Sequence, residues 1–266
     1  MQTRPSEEFN QRNASFDNRL RPTRFDDFVG QQKVRDRLLL AVEAARQRGE
    51  ALDHVLLSGP PGLGKTTLAF ILGEAMGVAV KTTSGPVIDK PGDLAGLLTS
   101  AEPGSIIFID EIHRMQRTVE EYLYSAMEDF RIDFVVDSGP YAKSIPLHLE
   151  QFTLVGATTR AGMLTGPMRE RFGIFHHIDF YTPEQLEKIA QRSALLLEIK
   201  MTPDGCEEIA RRARGTARIV NRLLRRVRDF AQVMGDGSIT VEMAQAALSQ
   251  MGVDAMGLDD LDRKYM

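Results

Sequence analysis

Gly59-Pro60-Pro61-Gly62-Leu63-Gly64-Lys65-Thr66 reads G-x-x-x-x-G-K-T, and this stretch decides the fold. Such a loop grips a triphosphate through its backbone. Its glycines let consecutive N–H groups turn inward around phosphate oxygens. The helix that follows aims its partial positive N-terminus at the same anion. Lys65 would reach the β- and γ-phosphates, and the Thr66 hydroxyl would ligate Mg²⁺. The pattern alone can arise in any Gly-rich turn, so its flanks matter. His54-Val55-Leu56-Leu57-Ser58 is a short apolar run, readable as a buried strand. Thr67-Leu68-Ala69-Phe70-Ile71-Leu72 continues as a helix. Strand, loop and helix in that order argue for a phosphate loop over a chance turn.

Working outward, five segments read as strands of a largely parallel sheet: about 54–58, 78–83, 106–110, 152–157 and 175–180. Continuous apolar runs such as Ile106-Ile107-Phe108-Ile109 suit strands covered on both faces. Helical patterns lie between them, at 31–48 and 118–128. The alternation predicts a three-layer α/β domain over 19–182. From Thr182 the strand signal stops. Pro183 opens a helix with Thr182 as its N-cap, and helices are expected at 204–213, 216–234 and 240–251. Residues 183–256 therefore read as a small helical domain, and the polar residues 1–18 as a disordered tail. One segment breaks the rhythm. Residues 131–149 read as a β-hairpin turning at Asp137-Ser138-Gly139-Pro140. Its apolar positions Ile132, Phe134, Ile145 and Leu147 either bind a partner or pack on their own domain.

Composition sets limits. Hydrophobic content of 42% and charged content of 26% are those of a globular protein. No apolar run approaches the roughly 18 residues that span a bilayer, and the N-terminus lacks a secretory pattern. The single cysteine, Cys206, fits a reducing cytoplasm and reads as packing rather than a nucleophile. A net charge of −4 offers no general attraction to a polyanion, so DNA contact needs a local patch, a ring of subunits or a further domain.

Asp110 and Glu111 end the apolar strand at 106–110, where α/β sheets face their ligand crevice. Asp110 suits Mg²⁺, and Glu111 could take a proton from an attacking water. His113 reads as a structural or polar neighbour. Thr158 and Thr159 close the next strand with hydroxyls that could orient that water. Arg169 and Arg171 follow, each able to stabilise phosphoryl charge or to form a surface salt bridge. Arginines crowd 211–228, and Arg218 falls in a helical first turn, where a cation opposes the dipole unless an anion is near. Thr216 can cap that helix.

With these parts assembled, the chain resembles AAA+ ATPases, and more closely the RuvB family of Holliday-junction branch-migration motors. The resemblance is carried by Leu20-Arg21-Pro22, Phe28-Val29-Gly30-Gln31, 52–57, 59–67, 82–86, 108–113, 156–162 and 223–229. It implies ATP (or ADP) binding with Mg²⁺, and ATP hydrolysis coupled to movement of double-stranded junction DNA. It also implies a homo-hexamer working with RuvA, contact with the resolvase RuvC, no membrane, and a bacterial cytoplasm. By motif it makes Lys65 and Thr66 Walker A residues, and Asp110 and Glu111 Walker B. Thr159 becomes sensor 1 with Thr158 as the alternative, and Arg218 becomes sensor 2. Arg171 becomes the arginine finger entering a neighbour's site, with Arg169 as the alternative. Gly62, Leu63, Gly64 and Thr67 complete the loop's contacts. Leu20, Arg21, Phe28, Val29 and Tyr181 are expected around adenine and ribose, and Glu128, Asp129 and Phe130 at a subunit boundary. The 131–149 hairpin corresponds to the element that docks on RuvA.

Two departures stand out. The family pattern has Gly-Thr-Pro-Arg where this chain has Gly215-Thr216-Ala217-Arg218, so the fixed φ of proline is missing before sensor 2. The chain also stops at Met266, and 257–266 looks like the entry to a winged-helix domain. The expectation is a motor core with weak DNA binding of its own. A clamp-loader-like ATPase and a nucleotide-dependent assembly switch are the alternatives.

Overall fold

Strands buried along their whole length form the core of one of two units. The computed structural model describes residues 19–136 and 143–265. The expected tail at 1–18 and the hairpin tip at 137–142 lie outside the described residues. Two compact units emerge. Among the described residues, one comprises 23–25 and 31–179, and the other 19–22, 26–30 and 180–265.

The first unit runs α1 (Gln32–Arg48), β1 (Val55–Ser58), α2 (Lys65–Met76), β2 (Val80–Ser84), α3 (Pro91–Thr99), β3 (Ile106–Asp110) and α4 (Arg117–Asp129). It continues through β4 (Arg131–Val136), β5 (Lys143–His148), β6 (Thr153–Thr158), α5 (Gly166–Glu170) and β7 (Ile174–His177). Its main sheet has the order β2-β3-β6-β1-β7, and every pairing is parallel. Every position of β1 and β6 is buried, as expected for strands sandwiched between helices. Chain order reverses around β1, which opens a crevice beyond the C-terminal strand ends. The strand starts are locked by His54. Its Nδ1 accepts from Leu154 N at 2.9 Å, and its Nε2 lies 3.1 Å from Met127 O. Burial lowers the pKa of this imidazole, which keeps it in the neutral form that accepts on one nitrogen and donates on the other.

Three local differences from the sequence reading have physical causes. Strand β7 ends at His177 rather than near residue 180, because its partner β1 ends at Ser58, where the phosphate loop begins. Helix α3 falls between two expected strands, in a stretch for which the sequence reading gave no helical range. Its signals are Pro91 at the first helical position and Asp93, whose carboxylate accepts from Lys90 N at 3.0 Å. The antiparallel β4–β5 ribbon pairs Ile132 with Leu147 and Phe134 with Ile145. These four positions share one face, but that face is not uniformly available to a partner. Ile132 is fully buried in the core with Leu123, Met127 and Phe152, so its assignment as a partner anchor is corrected. Leu147 is half-buried, Ile145 is 54% exposed, and the Phe134 side chain lies outside the described set.

The second unit is helical: α6 (Pro183–Leu196), α7 (Pro203–Arg211), α8 (Ala217–Met234), α9 (Val241–Gln250) and α10 (Asp260–Tyr265). Thr182 caps α6 in a reciprocal box with Gln185. Thr216 holds the N-cap position of α8 without capping it. Its hydroxyl donates instead to Arg214 O at 3.2 Å, which corrects the capping expectation. Cys206 is buried, and burial pushes its thiol up to about 11, as befits packing. Among the described residues, no helix is long and apolar enough to cross a membrane.

Candidate nucleotide site

The phosphate loop leaves the buried end of β1 and feeds directly into α2. Gly59 sits at φ 142, and a Cβ there would lie 2.4 Å from Ile178 O, so the first loop position admits only glycine. Gly59 N donates to Thr158 O at 3.1 Å, tying the loop to the end of β6. Lys65 is only 7% exposed. Its ammonium donates to Gly59 O and Pro60 O, each at 2.7 Å, so the charge is held at the loop by the loop's own carbonyls. Thr66 and Thr67 occupy the first turn of α2 and are half-buried.

Beside this loop, β3 ends in the half-buried pair Asp110 and Glu111. Asp110 Oδ1 accepts from Glu111 N at 3.0 Å. Glu111 has φ 48, a left-handed conformation that costs a non-glycine residue about 1–3 kcal/mol. That turn redirects the chain, and its carboxylate meets the end of β6. Thr159 Oγ1 donates to Glu111 Oε2 at 3.0 Å, and His113 Nδ1 lies 3.2 Å from the same oxygen. Thr158 Oγ1 is 2.9 Å from His113 Nδ1 and accepts from Arg160 N at 3.0 Å. The two threonines that the sequence offered as alternatives therefore have separate partners. Burial lowers the His113 pKa, against the opposing pull of Glu111, so the ring is neutral at pH 7. A neutral ring beside the carboxylate leaves its charge in place. A carboxylate oriented by a hydroxyl, with a neutral imidazole beside it, is equipped to accept a proton.

Arg171 follows α5 and is held by residues of α4 and of α5 itself. Its Nη1 donates to Pro167 O at 2.7 Å, and its Nη2 lies 3.1 Å from Glu128 Oε1. Its Cζ stands 4.6 Å from the centroid of the Tyr124 ring. Arg169 is exposed, in a shallow hollow with Ala161, Gly166, Glu170 and Phe175. Of the expected boundary trio, Glu128 meets Arg171 and Asp129 is exposed. Phe130 is half-buried and packs edge-on against Phe152 at 5.7 Å, beside the core. Sequence reasoning missed Tyr124, Glu120 and Thr165 altogether. Their only local signal was the four-residue spacing of Glu120, Tyr124 and Glu128.

In the second unit, Leu20, Phe28 and Tyr181 are buried, while Arg21 and Val29 are half-buried. Arg192 donates to Leu20 O at 2.8 Å, and Tyr181 N to Gly215 O at 2.9 Å. Burial raises the Tyr181 pKa, so its phenol stays neutral. Arg218 is exposed in the first turn of α8.

A parallel sheet with a phosphate loop after its first strand, paired acids after its third and a helical unit downstream defines a P-loop ATPase of the AAA+ class. Residues 20–178 match the P-loop domain of the Holliday junction DNA helicase RuvB, and residues 181–254 match the RuvB AAA lid domain. The chain is 58% identical over 247 residues to the Holliday junction branch migration complex subunit RuvB of Salinibacter ruber, covering 93% of this chain and 72% of that one. It is 59% identical over 253 residues to the Chlorobaculum tepidum subunit, covering 95% and 74%. The solved structure of the Thermotoga maritima RuvB Holliday junction branch migration motor superposes with a TM-score of 0.85 at 47% identity, over 92% of this chain and 78% of that one. The chain belongs to the RuvB family.

Proposed function

We infer that this chain is the ATP-hydrolysing motor subunit that drives branch migration of Holliday junctions in recombination and repair. The observation that carries this reading is the Glu111 carboxylate at the end of β3, held by the Thr159 hydroxyl with His113 beside it. β3 pairs with β6, whose last residue accepts a hydrogen bond from the first residue of the phosphate loop. A binding switch needs the loop alone, whereas an oriented second acid serves hydrolysis. In the proposed step a water oxygen bonds to the γ-phosphorus, and the bond from that phosphorus to the β,γ-bridging oxygen breaks. Glu111 accepts the water's proton. Lys65, the loop N–H groups and the first turn of α2 bind the phosphates.

Thr66 and Asp110 offer a hydroxyl and a carboxylate. That set fits Mg²⁺, which usually takes one or two protein oxygens and completes its shell with phosphate and water. When bound, the ion neutralises charge on the β- and γ-phosphates. Arg171 is assigned to a neighbouring subunit's nucleotide and Arg218 to phosphate sensing. The adenosine end is assigned to Leu20, Arg21, Phe28, Val29 and Tyr181. The working assembly is proposed as a hexamer on junction DNA, bound to RuvA through the exposed part of the β4–β5 face and associated with RuvC in the bacterial cytoplasm.

The test is Mg²⁺-dependent ATP turnover with and without RuvA and synthetic junction DNA. Turnover that rises when the partner or the junction is added supports the motor. Tight ATP binding with no turnover under any of these conditions would make the chain a nucleotide switch.

A further inference from the structure

Helix α4 carries Glu120, Tyr124 and Glu128 at four-residue steps, so they form one row on its surface. Glu120 is buried, and its Oε1 accepts from the Tyr124 hydroxyl at 2.9 Å and from the Thr165 hydroxyl. The two hydroxyl oxygens are themselves 2.8 Å apart. Burial raises the Tyr124 pKa, so the phenol remains a donor at neutral pH. Thr165 is also the N-cap of α5, and Arg171 is the residue that ends it. One buried carboxylate thus fixes both the Tyr124 ring and the start of the short helix that presents Arg171.

We propose that Tyr124 is a positioning residue for Arg171, its ring face supporting the guanidinium at the height from which it exchanges Glu128 for a phosphate. The proposal rests on the reading of Arg171 as the arginine that serves a neighbour's nucleotide. A ring face suits this task. It attracts the flat cation through its quadrupole and leaves the N–H groups free to find oxygens. Glu128 does the opposite. It occupies Nη2 directly and competes with phosphate, and its 56% exposure makes that grip easy to replace.

The test compares Tyr124→Phe, which keeps the ring face, with Tyr124→Leu, which removes it, in the full chain assembled with ATP. Tyr124→Leu should lower kcat on the order of 10- to 100-fold, the scale of a catalytic group displaced by about an ångström, with ATP affinity unchanged. Tyr124→Phe should keep most of the rate. Mixing Tyr124→Leu with Glu111→Gln subunits should recover turnover, just as mixing Arg171→Ala with Glu111→Gln should. Should Tyr124→Leu fold poorly, Tyr124→Met carries the same comparison. Parent-level turnover in Tyr124→Leu, or a rate loss matched by lost ATP binding, overturns the proposal. Recovery in the Arg171→Ala mixture but not in the Tyr124→Leu mixture also overturns it. If neither mixture recovers although mixed assemblies form, the assignment of Arg171 to a neighbour falls first, and the proposal falls with it.

Discussion

Glu111 stands at the end of a buried strand, and Arg171 at the end of a five-residue helix. Each has an intramolecular partner, but the partners differ in kind. Glu111 is held by Thr159 and lies against His113, whose side chain is only 4% exposed. Arg171 is held by a ring face, a backbone carbonyl and the largely exposed Glu128. Exposed ion pairs of the latter kind contribute about 0–1 kcal/mol, so a phosphate can displace them. The comparison teaches that the proposed base is fixed by the sheet, while the proposed cation is stored on a helix surface and can be released. That division suits a motor whose subunits must report their state to one another.

The comparison breaks most visibly at its two ends. Arg171→Ala should lower ATP turnover the most, by roughly 10³- to 10⁵-fold if it supplies an arginine finger, with ATP still bound. Steady-state turnover beside a nucleotide-binding titration measures both, and a small loss would return the role to Arg169. Glu111→Gln should cost roughly 10²- to 10⁴-fold, again without loss of binding. Turnover at the parent rate in that variant would remove Glu111 as the base.

Stability sharpens the fixed side of the comparison. His54→Ala leaves Leu154 N without its acceptor and should cost about 1–3 kcal/mol in chemical denaturation. The folded-state pKa of His54 lies below its ordinary value near 6.5. Its contribution is therefore complete above about pH 6.5 and declines as pH falls through the lowered folded value. A denaturation midpoint that fell with pH equally in the parent and in His54→Ala would assign the acid sensitivity elsewhere. The smallest effect belongs to the loose side. Glu128→Gln should change stability by less than about 1 kcal/mol and should not lower kcat, because Arg171 loses only a competitor. A large loss of turnover there would make Glu128 part of the nucleotide site itself.

The sequence made the strands and the loop legible because their signals are local. Glycine spacing, apolar runs and the acids closing β3 all lie within a few residues of one another. The Arg171 surroundings were opaque for the opposite reason. Tyr124 and Thr165 stand 41 residues apart, and Glu120 and Thr165 stand 45 apart, so no window contains both partners. The hairpin was misread at Ile132 for a related reason. Alternation gives the apolar face of a ribbon but not the point along it where burial ends. Thr216 had the right residue type and position for a cap, yet its hydroxyl bonds backward to Arg214 O.

The most direct test of the central claim is the ATP turnover of mixed assemblies of Glu111→Gln and Arg171→Ala subunits. If the base acts in its own subunit and the arginine in the neighbour's, each mixed ring contains interfaces with both groups intact. Turnover should then rise well above that of either variant alone. Confirmed co-assembly with no gain over the separate variants would contradict the account.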